Sequence, residues 1–141
     1  MTERPPVGVP QGPLGFLPRA SSPGTATWEY QVKPEHFNPH GVLHGGVIMA
    51  LLDTAMGHAV AELVAPEGAF NAAAEMSVRF LEPIRSGTIT ARAEVRKCGK
   101  RLAVVEADAT DDHGLTLAVA TATHAILRKK PAPPATEPGR S

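Results

Sequence analysis

The sequence predicts an α+β fold in which an antiparallel sheet wraps around one long central helix. The stretch from Gly45 to Val64 is rich in good helix formers and apolar on nearly every side, so this helix must be covered by protein. Four segments in which apolar residues recur with a period of two follow it, and one strand precedes it. Many of the residues in these segments are alanines, which leave room for a helix close to the sheet. A chain of 141 residues is expected to form one domain.

The first two elements are predicted from propensity and from residues that break regular structure. A strand over Thr25–Val32 ends at Pro34, and the ten residues after it are irregular. The helix begins near Gly45 and stops at Pro66 and Gly68. Its apolar residues cover most of its circumference and are Val47, Ile48, Leu51, Leu52, Ala55, Met56, Ala59 and Leu63.

The four later strands are predicted from alternation of apolar and polar residues. Met76, Val78 and Phe80 alternate with polar neighbours, and Pro83 and Gly87 make the turn that follows. The same alternation covers Ile89–Arg96, Ala103–Ala109 and Leu115–Leu127, with Asp111–Gly114 as a hairpin turn.

Two flexible tails are predicted, over residues 1–24 and 129–141, on either side of a folded domain over residues 25–128. Ten of the 14 prolines lie before residue 24 or after residue 130. Their missing amide donors and fixed φ oppose both helix and sheet. Between Gly24 and Leu127 eight Lys and Arg residues face twelve Asp and Glu residues, so the folded part is mildly acidic.

Charge and cysteine content exclude several classes of protein. Fourteen basic residues balance fourteen acidic ones, so no overall field attracts nucleic acid or an anionic membrane. The single cysteine, Cys98, cannot form an internal disulfide, and no Cys or His spacing fits structural zinc. We find neither a signal peptide nor an apolar run of about 18 residues that could span a membrane, and we expect a cytoplasmic protein. No Gly-x-Ser-x-Gly elbow or Gly-rich phosphate loop is present, which argues against a serine α/β-hydrolase or a nucleotide hydrolase.

The segment from Asn38 to Gly46 carries the first candidate site. Gly45 and Gly46 have no β-carbon, so a substrate can approach their amides closely. The first amides of a helix are unpaired donors at its positive end. Such an oxyanion site polarises a carbonyl group and stabilises the charge that develops on its oxygen, with about 3 kcal/mol per donor in well-studied enzymes.

Asp53 is the second candidate group, two turns into the helix. Its neighbours Leu51, Leu52 and Ala55 are apolar, and burying an unpaired carboxylate costs several kcal/mol. We therefore expect a functional carboxylate, which acts either as a general base on water or as a direct nucleophile. The alternative is an aspartate that faces a solvated groove or another subunit.

The stretch from Asn38 to Asp53 resembles the phenylacetate-degradation type of acyl-CoA thioesterases, in the 4-hydroxybenzoyl-CoA thioesterase superfamily. The resemblance runs from about Trp28 to Leu127 and includes Ser77–Pro83 and the Ala-Thr-Ala-Thr of the last strand. It implies the hotdog fold and hydrolysis of an acyl- or aryl-coenzyme A to the free acid and coenzyme A. It implies no cofactor, since coenzyme A is part of the substrate.

The resemblance also implies roles for individual residues. Gly45 supplies the oxyanion amide, Asn38 helps to hold the carbonyl, and Asp53 attacks or activates water. His44 and Gly46 lie beside the bound substrate. Because such families place these groups across a subunit interface, a homodimer or a dimer of dimers is expected, with no nucleic acid or membrane partner.

One position departs from the pattern of the family. Where relatives often carry a Ser or Thr that orients the water, this chain has Ala73 in the run Asn71-Ala-Ala-Ala. Either Asn71 or another group then positions the water, or the rate is low. Ala73 still belongs to the expected substrate-binding surface.

The remaining candidate groups are a basic cluster, five histidines and Cys98. The cluster Arg96, Lys97, Lys100 and Arg101 is either a solvated hairpin or a site for the phosphates of coenzyme A. The spacing of four between His36, His40 and His44 would align metal ligands on a helix, but Pro39 and Gly41 prevent that helix, so we expect no metal site. We expect His44 to fix the loop by side-chain hydrogen bonds. His58 and His124 are interpreted as packing residues, and Cys98 as an incidental thiol.

Two rival functions remain open. A hotdog module that binds acyl-CoA without hydrolysing it, as a sensor or carrier, is favoured by Ala73 and opposed by Asp53. A hotdog hydratase or dehydratase usually has a different arrangement of Asp and His, and it ranks last.

Overall fold

A computed structural model describes residues 5–128 as one long helix packed against a six-stranded antiparallel sheet. The strands are β1 (Leu17–Ser22), β2 (Thr25–Gln31), β3 (Ala69–Phe80), β4 (Thr88–Cys98), β5 (Leu102–Thr110) and β6 (Thr116–Arg128). The helix α1 spans Gly45–Val64, with short 3-10 helices at Pro34–His36 and Ala65–Glu67. The order in the sheet is β1-β2-β4-β5-β6-β3. The predicted architecture is confirmed.

The helix forms the centre of the core, as its apolar circumference predicted. Leu51, Leu52 and Met56 are completely buried, and burial of each such side chain stabilises the fold by about 1.5–3 kcal/mol. The sheet residues beneath the helix are mostly small. Buried alanines stand at positions 91, 93, 103, 107, 109, 118, 120 and 122, so the helix backbone lies close to the strands.

The predicted N-terminal tail is wrong for residues 17–22, which form β1 at one edge of the sheet. β1 pairs with β2 across a tight turn in which Gly24 has a φ of 86°. Pro18 is buried in this strand. An edge strand tolerates proline because the amides on its outer side need no partner in the sheet. The apolar side chain of Phe16 anchors the segment edge-to-face on Tyr30. The predicted tail at 129–141 lies outside the described residues.

At the opposite edge of the sheet lies β3, the strand that carries Ala73. A bulge between Ala73 and Glu75 interrupts its pairing with β6. Asn71, Ala73 and Met76 pair with Ile126, His124 and Ala122, all buried residues of β6. The outer edge of β3 has no partner strand among the described residues.

The helix α1 also corrects the statement that no segment could span a membrane. Over Gly45–Glu67 the chain is long and apolar enough, with a mean hydropathy of 1.6 over 18 residues, half of them buried. Asp53, His58 and Glu62 interrupt this run, so the sequence contains no unbroken apolar stretch of that length. Packing against the sheet accounts for its apolar character, so the finding is weak support for a membrane span.

Candidate active site

The loop before α1 is held by Asn38. Its side-chain oxygen accepts from the amides of His40, at 2.9 Å, and of Val42, at 3.4 Å. The backbone N–H of Asn38 donates in turn to the carbonyl of Val42, at 2.8 Å. No hydrogen bond occupies the side-chain nitrogen of Asn38 in the described part of the chain, so its N–H groups can donate to a substrate carbonyl.

The start of the helix leaves one amide free rather than two. His44 is the N-cap residue, and its Nδ1 accepts from the Gly46 amide at 2.9 Å. The loop-fixing hydrogen bond expected of His44 is therefore present. The same bond removes Gly46 as an amide donor to substrate. The Gly45 amide has no acceptor among residues 5–128, and it is the one available for an oxyanion.

A cavity of about 330 Å³ opens at Gly45. Phe80, Leu81 and Ile48 contribute apolar side chains to its wall. The Phe80 ring lies so near the helix start that a β-carbon on Gly45 would be 3.2 Å from its Cζ atom. A side chain at position 45 would press against this ring, and the surroundings suit an apolar group beside a polarised carbonyl.

Asp53 is not buried in the single chain, which corrects the burial argument. Its side chain is 50% exposed, because it projects from the surface of α1 while Leu52 faces the sheet. No large desolvation cost opposes the carboxylate there. The alternative of an aspartate that faces a groove or another subunit describes this position in the isolated chain.

His124 is the residue that sequence reasoning missed. It is 1% exposed, and its Nε2 lies 3.9 Å from Oδ1 of Asp53. Nδ1 lies 2.8 Å from Oδ1 of Asn71, whose Nδ2 donates to the Gly57 carbonyl at 3.1 Å. Burial lowers the pKa of the His124 imidazole, and the Asp53 charge offsets part of that shift. The signal was visible as the only polar side chain in an inward row of alanines and isoleucine over 118–126.

Ala73 stands opposite His124 in the sheet register, on the strand face that turns toward α1. It offers no hydroxyl to a water near Asp53. Asn71, the predicted substitute, is already hydrogen-bonded to His124 and to Gly57. The polar atom without a partner in this neighbourhood is His124 Nε2.

The four residues of the basic cluster, Arg96, Lys97, Lys100 and Arg101, differ in whether an acidic side chain pairs with them. Arg96 donates to Glu106 at 2.8 Å and lies 3.8 Å from Glu94, so its charge is already balanced. Lys97, Lys100 and Arg101 are exposed and have no acidic partner in the described ranges. Ala103 pairs with His124 in the sheet and lies two residues after Arg101. The turn between β4 and β5 is therefore at the same end of the sheet as His124.

The other histidines do not converge on a site. His36 Nδ1 meets the hydroxyl of Tyr30, and His44 caps the helix. His58 accepts from Trp28 at 2.8 Å and lies 3.1 Å from Glu62, as expected of a packing residue. Within residues 5–128 no group of three potential ligands can hold a metal ion.

The fold is the hotdog fold, and the candidate site combines a free amide at the helix start with a carboxylate on the same helix, two kinds of group that thioester hydrolysis can use. A family model described as the thioesterase superfamily matches residues 40–118, and the chain belongs to that family.

Relatives and solved structures agree with this membership. Acyl-coenzyme A thioesterase 13 of Homo sapiens is 33% identical over 93 residues, which is 65% of either protein. The match therefore spans just under two thirds of that relative. A thioesterase from Haemophilus influenzae is 28% identical, with a TM-score of 0.76 over 82% of this chain and 80% of that one. The E. coli PaaI protein from the phenylacetic acid degradation operon is 27% identical, with a TM-score of 0.74 over 83% and 81%.

Proposed function

We propose that this thioester hydrolase acts on an acyl- or aryl-coenzyme A and releases the free acid and coenzyme A, at a site shared by two subunits. The observation that carries the proposal is the separation of Gly45 from Asp53 along α1. Eight residues of helix rise by about 12 Å, which is too far for one thioester carbon to contact both groups. A complete site needs the Gly45 of one chain and the Asp53 of another.

The free edge of β3 supports such a pair. This strand is 12 residues long, contains no proline and has an unpaired outer edge in the described structure. Long unpaired edges are usually covered or paired. In a two-fold pair through β3 the two α1 helices run in opposite directions, so each Gly45 can approach the middle of the partner's helix.

The chemistry follows from the donors and the base. The Gly45 amide and the Asn38 side chain donate to the thioester oxygen, and Asp53 of the partner subunit takes a proton from water as the water oxygen attacks the carbonyl carbon. The tetrahedral intermediate then expels the coenzyme A thiolate. The apolar cavity at Gly45 favours an apolar acyl group, and the relatives named for acyl-coenzyme A and phenylacetic acid suggest which thioesters to test.

Thiol release from a panel of aliphatic and aryl-coenzyme A thioesters tests the proposal. We expect turnover by the wild-type protein, and a loss of about 100-fold or more in kcat for Asp53→Asn, the scale of general-base catalysis. Because Asp53 is exposed, the variant should unfold at nearly the wild-type temperature. Binding of acyl-coenzyme A without turnover by the wild-type protein would instead identify the non-catalytic module.

A further inference from the structure

The buried imidazole of His124 lies close to Asp53, the candidate base. The His124 side chain is almost completely enclosed, and its Nε2 has no hydrogen-bond partner among the described residues. A buried polar atom without a partner is uncommon in folded proteins and calls for an explanation. The nearest charged group that the structure records for this nitrogen is the carboxylate of Asp53, at 3.9 Å.

The surrounding hydrogen bonds fix which ring nitrogen carries the proton. Asn71 must direct its NH₂ group to the Gly57 carbonyl, which can only accept. Its Oδ1 then faces His124, and since that oxygen also only accepts, Nδ1 of His124 is the donor. In the neutral ring Nε2 therefore holds a lone pair, directed toward the region of Asp53.

The groups around His124 leave Asp53 as its one titrating neighbour in the described structure. The register partners of His124 are Ala73 on β3 and Ala103 on β5, and Asn71 does not titrate. Because Asp53 is half exposed, its carboxylate is free to rotate. A movement of about 1 Å brings Oδ1 within hydrogen-bonding distance of Nε2.

We propose that His124 acts through Asp53, as the acceptor of the proton that Asp53 removes from the attacking water. This inference rests on the proposed function. The water oxygen bonds to the carbonyl carbon while one O–H bond breaks, and its proton passes by way of Asp53 to His124 Nε2. Asp53 is then again ionised beside an imidazolium ion. When the C–S bond breaks, the same proton returns by way of Asp53 to the coenzyme A thiolate.

The inference gives Asn71 and Ala73 a common explanation. Asn71 is a positioning residue. Its hydrogen bond to Nδ1 of His124 keeps the ring in the tautomer whose Nε2 can accept a proton. The missing hydroxyl at Ala73 removes one way to hold the water, and a second proton acceptor next to Asp53 compensates for it.

The test uses His124→Asn in the full chain, because an Asn amide can keep the hydrogen bond to Asn71 while Nε2 is removed. We expect kcat to fall by about tenfold or more, with a change in KM of less than about threefold. His58→Gln is the matched control. His58 is also a mostly buried histidine with two side-chain partners, but these are Trp28 and Glu62, so its loss should lower stability and leave kcat unchanged.

A second measurement is independent of turnover and does not use the His124 variant. Nitrogen-15 NMR of the wild-type chain should show His124 protonated at Nδ1, and Asp53→Asn should lower the pKa of this imidazole because a neighbouring negative charge is lost. Protonation of the neutral ring at Nε2, or a pKa that Asp53→Asn leaves unchanged, would overturn the inference.

The kinetic outcomes separate the two proposals. If the wild-type protein hydrolyses the thioesters and His124→Asn retains its kcat, the role of His124 is wrong and the thioesterase assignment stands. If the wild-type protein hydrolyses none of the panel, the proposed substrate class is wrong, and the role of His124 is wrong with it.

Discussion

At the scale of single residues, the start of α1 shows how one hydrogen bond leaves a single free amide at the helix start. His44 occupies the Gly46 amide and leaves that of Gly45 free at the mouth of an apolar cavity. The free donor lies at the first helical position, which tolerates proline because its amide has no partner in the helix. His44 has an extended backbone, with φ −61° and ψ 130°, and this conformation is compatible with a following proline.

Gly45→Pro should therefore remove the oxyanion donor without breaking the helix. We expect kcat/KM to fall by about 100-fold or more, the usual effect of losing one such donor. Gly45→Ala is the matched control, since it adds the same β-carbon against Phe80 but keeps the N–H group. Steady-state kinetics of both variants separate the steric effect from the loss of the donor. Equal rates for the two variants would show that the amide is not used.

His124 makes the stability of the fold depend on pH. Its pKa is lowered by burial from an ordinary value of 6.5, so between 6.5 and the folded-state value the unfolded chain binds more protons. The free energy of unfolding should then fall as pH drops below about 6.5, and level off below the folded-state pKa. Urea unfolding of wild type and His124→Asn at about pH 7.5 and about pH 5.5 checks this. A wild-type decrease no larger than that of the variant would contradict it.

Single residues also mark the limit of what the sequence could predict. Asp53 lies two turns into α1 as predicted, but its predicted burial was wrong, because eight apolar neighbours on a helix do not reveal which narrow strip the sheet leaves open. The sequence predicts only a packing role for His124, because its hydrogen-bond partner Asn71 and its charged neighbour Asp53 are 53 and 71 positions away in the chain. Hydrogen bonds over such separations depend on the strand register, which the alternation of residues does not specify.

At the scale of elements, the β4–β5 hairpin carries three cations that no described acidic residue pairs with. Lys97, Lys100 and Arg101 differ in this respect from Arg96, which Glu106 holds on the sheet surface. Since unpaired cations at a hairpin can meet phosphate groups without first breaking an ion pair, we propose that these three, rather than Arg96, contact coenzyme A.

The double variant Lys100→Glu with Arg101→Glu should raise KM for an acyl-coenzyme A by about fivefold or more, since about 1 kcal/mol of binding corresponds to that ratio. The same acyl group on a short pantetheine thiol should show an unchanged KM. Arg96→Gln is the control and should affect neither substrate. Equal increases for both thioesters would remove the phosphate role from the hairpin.

The elements themselves were predictable to different degrees. Long patterns such as that of α1 appear in the sequence because tight packing on all sides requires apolar residues at nearly every position. β1 lacks such a pattern, because Pro18 and a bulge before Ala20 suit an edge strand but weaken every strand signal. The bulge after Ala73 was equally hidden, because an extra residue changes the register without changing the composition.

At the scale of the whole molecule, the proposed site needs two chains, because the two groups assigned to it are far apart in one chain. Gly45 and Asp53 lie about 12 Å apart along a rigid helix, so no side-chain rotation brings them to the same carbonyl carbon. The free edge of β3 offers the surface on which a second chain can supply the missing half. Sequence analysis could expect this only from the resemblance to a family, because no local pattern encodes a two-fold axis.

Subunit complementation tests the shared site directly. Asp53→Asn and Gly45→Pro homodimers should each be nearly inactive, since both of their sites lack one group. A heterodimer of the two variants, isolated through two different affinity tags, combines the intact Gly45 of one chain with the intact Asp53 of the other at one of its sites. We expect about half of the wild-type rate per dimer, because the second site then carries both defects. Sedimentation should show the same dimer for all three species. A heterodimer as inactive as its parents would mean that each chain builds its site alone, and that α1 does not set the division between subunits.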